Sequence, residues 1–118
     1  MKQMFLIAFC VLAFITNGKS QQSTSISDTI RVILDNDKLR VTEYISTPGK
    51  DVCGKGKHSH GPHLSILLTD AKVMVTTADG NSKTFDLKAG TTFWSEAETH
   101  IAINNGNNIA KAYLVELK

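Results

Sequence analysis

The chain has 118 residues, with 13 Lys and Arg against 11 Asp and Glu, four His and two Cys. That length builds one domain and leaves no room for a large multi-domain catalyst. At 42% hydrophobic and 20% charged residues, the composition is that of a folded globular chain, not a disordered tail.

The N-terminus opens with Lys2, runs apolar from Met4 to Ile15 and turns polar at Thr16-Asn17-Gly18. One cation, a short greasy core and small residues near its exit predict a cleavable signal peptide over residues 1–20. The expected location is therefore secreted or periplasmic. The core is too short to cross a ~30 Å hydrocarbon layer, so no membrane association is expected after cleavage. Lys2 and Lys19 both fall in the leader, which leaves 11 bases against 11 acids in the rest. A neutral domain carries no basic footprint for nucleic acid or anionic membrane, and no nucleic-acid partner is expected. Cys53 is then the single remaining thiol and has no intrachain disulfide partner. Stability must come from packing or from metal. The simplest role for Cys53 is a buried, inert thiol; pairing between chains or a place in a site are the alternatives.

Residues 21–28 are polar and simple in composition, as expected of a flexible spacer ahead of a domain spanning 29–118. Beyond them the chain reads as short strands punctuated by turn residues. Thr29–Leu34 is rich in β-branched residues and closes at Asp35-Asn36-Asp37; Leu39–Ser46 alternates and ends at Pro48-Gly49. Residues 50–57 are glycine-rich and charged, hence a loop. Strands are predicted at Leu64–Thr69, Lys72–Thr77, Lys83–Leu87, Thr91–Ser95, His100–Asn104 and Ile109–Leu117, with a hairpin at Asp79-Gly80-Asn81. No stretch after the leader holds ten residues of helical period. The expectation is all-β, a sandwich or barrel of about eight strands. Phe85, Phe93, Trp94 and Tyr113 are expected in its core.

The histidines fall in two places: His58, His60 and His63, then His100. His58 and His60 stand where the loop enters a strand. Residues i and i+2 of a strand share a face, so both imidazoles can converge on one ion. Neutral imidazole suits zinc, iron, copper and nickel. The His58–His63 run lacks the Asp of a metallo-β-lactamase signature, with Pro62 in its place, and no helical His-Glu-x-x-His exists.

The chain resembles the cupins, small jelly-roll proteins. His58 and His60 match the His-x-His of the first cupin motif. Gly90 opens the second, His100 supplies its histidine, and Asn104 follows after three residues. The stretch from Leu68 to Gly90 is similar to the cupin strand, Asp-Gly hairpin and strand. The likeness runs from about Thr29 to Lys118. Four positions depart from it: no Gly stands six residues before His58, although Gly54 and Gly56 are close, the carboxylate slot falls at Leu64 or Ser65, Glu96 replaces the proline, and His100 arrives one residue early.

The resemblance implies a cupin jelly roll with a divalent transition metal (Fe, Zn, Ni, Mn or Cu) held by His58, His60 and His100. His63 is either a fourth ligand or an exposed residue after the Gly61-Pro62 turn; Cys53 and Glu98 are weaker candidates. A metal-dependent enzyme on a small organic molecule (a dioxygenase, isomerase or lyase) is one reading. A non-catalytic binder of a sugar or other small molecule is the alternative. If His100 faces the lumen, Ala102 and Asn104 share its face, while Ile101 and Ile103 point outward and need cover. With Leu64–Leu68 apolar on both faces, a homodimer is expected.

Overall fold

A computed structural model describes residues 28–118. The expected signal peptide and nearly all of the spacer lie outside the described residues. Asp28, the spacer's last residue, is tied to the domain, accepting hydrogen bonds from Thr47 N–H (2.7 Å) and Thr47 Oγ1 (2.9 Å).

Among the described residues there are nine strands: β1 (Thr29–Asp35), β2 (Leu39–Ser46), β3 (His58–His60), β4 (His63–Leu67), β5 (Ala71–Thr77), β6 (Ser82–Leu87), β7 (Thr92–Ser95), β8 (Glu98–Asn104) and β9 (Ala110–Leu117). They form two antiparallel sheets. The larger runs β1-β2-β9-β4-β7 and the smaller β3-β8-β5-β6. The β-branched and alternating runs read from the sequence are these strands, with ends shifted by one or two residues. The ninth strand is His58–His60, which belongs to the smaller sheet, whereas β4 belongs to the larger. Gly61-Pro62 carries the chain between sheets, because proline lacks the N–H that would continue the ladder.

Side-chain alternation sets the interior. Thr42, Tyr44 and Ser46 of β2, His63, Ser65 and Leu67 of β4, and Ala110, Ala112 and Leu114 of β9 are buried from one sheet. Ala71 and Val73 of β5 and His100, Ala102 and Asn104 of β8 are buried from the other. The expected parity of β8 holds: Ile101 and Ile103 alternate outward and are half-buried. Many inward positions are small, and Ala102, Ala112, Ser65 and Ser95 together leave the lumen unfilled. A cavity of about 670 Å³ remains, with Val73, Val75, Phe85, Leu87, Phe93 and Leu114 among its walls.

The expected aromatic core needs correction. Phe85, Phe93 and Trp94 are not core: they are 38%, 40% and 47% exposed. β6 and β7 are the outermost strands of their sheets, so Phe85 and Phe93 border the cavity without being sealed by a further strand. Trp94 takes the opposite face of β7 from Phe93, where its indole N–H donates to Glu96 (3.0 Å). Tyr113 is half-buried on the outer face of β9. The Asp79-Gly80-Asn81 turn forms as expected, but only Gly80 has positive φ, at 89°.

Asn104 shows what the second motif's asparagine does. Its amide donates to the carbonyls of Ser46 (3.0 Å) and Asn108 (2.9 Å), and its Oδ1 accepts from Gly106 N–H (3.0 Å). This nearly inaccessible side chain fastens the Asn105–Asn108 loop to the end of β2, so its role is architectural.

Candidate metal centre

The register of β3 on β8 brings the histidines together. His58 pairs directly with His100, and His60 with Glu98. Opposed residues of an antiparallel pair hold their Cβ atoms about 5 Å apart, so His58 and His100 must meet if they share a face. Ring centroids lie 4.7 Å apart for His58 and His60, 4.8 Å for His58 and His100, and 5.6 Å for His60 and His100.

Cys53 joins them from the loop before β3. That loop is stitched along β8: Gly49 N–H donates to Asn104 O (2.8 Å), Asn104 N–H to Lys50 O (2.8 Å) and Val52 N–H to Ala102 O (2.9 Å). The stitching delivers Cys53 Sγ to 3.3 Å from Nε2 of both His58 and His100. One donor atom from each of Cys53, His58, His60 and His100 fits within 4.8 Å of every other. Cys53 is buried, as its simplest reading expects, and it also stands in the histidine group; its nearest sequence signal there was the pair Gly54 and Gly56, which let the loop turn tightly beside His58.

His63 is buried, 2% exposed, not an exposed turn residue. It begins β4 on the opposite sheet, its ring centroid 5.1 Å from that of His60. Its Nδ1–H donates to Gly61 O (2.8 Å), and its Nε2 lies 3.8 Å from Glu98 Oε1. The crossover at Gly61-Pro62 separates it from the Cys53–His58–His60–His100 group, and it faces the cavity beside that group.

Hydrogen bonding fixes the ring protons. A carbonyl only accepts, so the 2.8 Å contact of His58 Nδ1 with Gly56 O puts the proton on Nδ1 and leaves the Nε2 lone pair facing Cys53. His60 Nδ1 lies 3.6 Å from Glu116 Oε1, and His100 Nδ1 lies 3.4 Å from Glu98 Oε1. Burial holds His60 and His100 below the usual imidazole value; for His100 the Glu98 carboxylate pulls the other way. Both are therefore neutral at pH 7, the state that ligates metal. Burial, with a smaller contribution from Glu98 and Asp51, pushes the Cys53 thiol up to about 12.

These residues fit a cation. Besides the converging donors, His60 Nε2 and His100 Nδ1 are buried without a hydrogen-bond partner, and buried nitrogens are normally paired. His58 lies against Gly54, where a Cβ would come within 2.8 Å of the ring. The absent side chain makes room for that imidazole. The cluster of Cys and His side chains could thus hold a metal ion.

No protein-family model matches the sequence, and no curated protein matches it. Solved structures do. The chain is similar to a cupin domain of Bordetella pertussis Tohama I, at 26% identity and a TM-score of 0.69, over 78% of this chain and 94% of that one. An RmlC-like cupin with a double-stranded β-helix fold from Methanocaldococcus jannaschii aligns at 13% identity and 0.61, over 81% and 84%. The polyketide cyclase RemF of Streptomyces resistomycificus aligns at 14% and 0.56, over 76% and 64%. The fold is that of the cupin double-stranded β-helix proteins.

Proposed function

We propose that this protein is an exported cupin that binds a divalent transition metal through His58, His60 and His100 and takes a small, largely apolar organic molecule into its lumen. The observation that carries the reading is the meeting of the three imidazoles beside an apolar cavity that His100 lines. A bound cation would act as a Lewis acid toward an oxygen of that molecule. Around it, Val73, Val75, Leu87 and Leu114 exclude water from the ligand's body, while His63, Ser65, Ser95 and Glu98 offer hydrogen bonds at one end. Thr77, Asp79, Asn81, Ser82 and Lys83 add polar groups to the lining, but most of its surface is apolar, which favours a largely apolar ligand with a few polar groups over a sugar with hydroxyls all round. The polyketide cyclase among the structural neighbours is one case of this fold serving chemistry on an organic molecule. Catalysis and non-catalytic binding are told apart by turnover on metal loading.

Export rests on the leader-like residues 1–20. A homodimer is supported by β1, whose Ile30 and Val32 are 58% and 52% exposed at the edge of the larger sheet. The smaller sheet has one strand fewer. Light scattering at micromolar concentration should give twice the chain mass, and a monomer refutes the dimer.

The metal reading is tested by elemental analysis of the purified protein beside His58→Ala and His100→Ala. The wild type should retain close to one equivalent after metal loading and desalting, and each variant should lose it. Equal metal content in all three overturns the ligand set.

A further inference from the structure

The cupin pattern asks for a carboxylate where this chain has Leu64 or Ser65, and both lie on β4 in the sheet opposite His58 and His100. A different residue stands at the three imidazoles. We propose that Cys53, as a thiolate, is the fourth donor of this centre, making it a three-imidazole, one-thiolate site that selects thiophilic ions such as zinc or copper over manganese. The inference rests on the metal reading above and extends it to a residue outside the three histidines.

Counting protons and lone pairs carries the argument. His58 spends its ring proton on Gly56 O, so its Nε2 only accepts. His100 turns its Nε2 to the same Cys53 sulfur, and its Nδ1 is buried with no hydrogen-bond partner, 3.4 Å from a Glu98 carboxylate oxygen. Cys53 Sγ is 3.3 Å from both Nε2 atoms and has one proton to give. With the His100 proton on Nδ1, one S–H faces two acceptors; with it on Nε2, the Nδ1 lone pair is buried without a donor. His60 Nε2, on a side chain only 7% exposed, has no partner in either case. A cation among the four donor atoms meets the sulfur and one lone pair of each ring at once. On binding, the S–H bond is exchanged for a sulfur–metal bond and the proton leaves to solvent.

Thiolate with imidazole is the donor set of zinc and copper sites, whereas manganese prefers carboxylate and water. Position adds a consequence. Cys53 and His100 line the lumen, while His58 and His60 do not. The sulfur thus stands on the cavity side of the cluster, together with His100.

The test loads the full-length protein with cobalt(II) and records its absorption spectrum. A sulfur-to-cobalt charge-transfer band in the near ultraviolet is expected in the wild type. In Cys53→Ser that band should vanish while the visible d–d bands persist, with zinc affinity lower by about tenfold or more. X-ray absorption of the zinc-loaded wild type needs no variant; it should show one sulfur at about 2.3 Å among nitrogen scatterers. Cobalt bound with no charge-transfer band, a band that survives Cys53→Ser, or a zinc shell without sulfur overturns the thiolate and leaves the three imidazoles standing. Failure of cobalt and zinc to bind overturns both readings.

Discussion

Gly54→Ala tests the centre without touching a donor atom. An added Cβ would lie 2.8 Å from His58 Cγ and Cδ2 and 3.0 Å from Nδ1, where ordinary contact begins at 3.4 Å. The ring or the loop must retreat by about 0.6 Å, comparable to the ~0.5 Å tolerance within which a functional constellation is held. Retreat also strains the 2.8 Å bond from His58 Nδ1 to Gly56 O, which sets the ring's tautomer and aim. Disturbing such support weakens metal binding by about 10- to 100-fold. The backbone adds its own cost, because Gly54 sits at φ 154°. Gly56→Ala separates the two effects. Gly56 has φ 54°, yet a Cβ there meets nothing within 4 Å, so that variant should lose about 1–2 kcal/mol of stability and keep its metal affinity. Zinc titration against a competing chelator, with urea unfolding in parallel, reads both. Wild-type affinity in Gly54→Ala, or an equal loss in Gly56→Ala, refutes the role assigned to the His58 contact.

Three further outcomes follow from the same coordinates. In the presence of a chelator, the melting temperature should peak between pH 6.5 and 9. Below 6.5 the unfolded chain takes up protons that buried His60 and His100 resist, so stability falls as pH falls through their lowered values. Above 9 the unfolded chain releases the Cys53 proton, and above 10 that of Tyr44, while the folded protein holds both to about 12, so stability falls as pH rises. A melting temperature that climbs below pH 6 would contradict this. Asn104→Ala breaks one buried and two partly buried hydrogen bonds and should cost about 3 kcal/mol by urea unfolding; a loss under about 1 kcal/mol would show that the loop does not depend on it. Ala102→Leu extends into the empty lumen and should avoid the roughly 1–3 kcal/mol penalty of overpacking while abolishing binding of an apolar fluorophore. Undiminished fluorophore binding would place the ligand elsewhere.

The strands were legible because alternation and turn residues are local signals, and each run of β-branched residues became a strand. The parity of β8 was legible too, since two-residue periodicity fixes faces once His100 is placed inside. The pairing of His58 with His100 is a long-range register across forty-two positions, which no local pattern encodes; only likeness to a family suggested it. Cys53 was harder still. It lies in a loop whose course is set by backbone hydrogen bonds to β8, and such bonds leave no trace in residue type. Of the two readings of His63, the exposed one fails because Gly61-Pro62, which looks like a surface turn, here carries the chain from one sheet to the other. The aromatics failed for a related reason: Phe85, Phe93 and Trp94 are core-like residues on strands that turn out to be edges.

That same crossover divides the labour between the two sheets. His58, His60 and His100 all ride on β3 and β8, adjacent strands of the smaller sheet, and the Cys53 loop is fastened to β8 as well. An ion gripped by those four would not rivet one half of the sandwich to the other. A separation of the two sheets that admitted a guest would therefore leave the coordination sphere intact within its own layer.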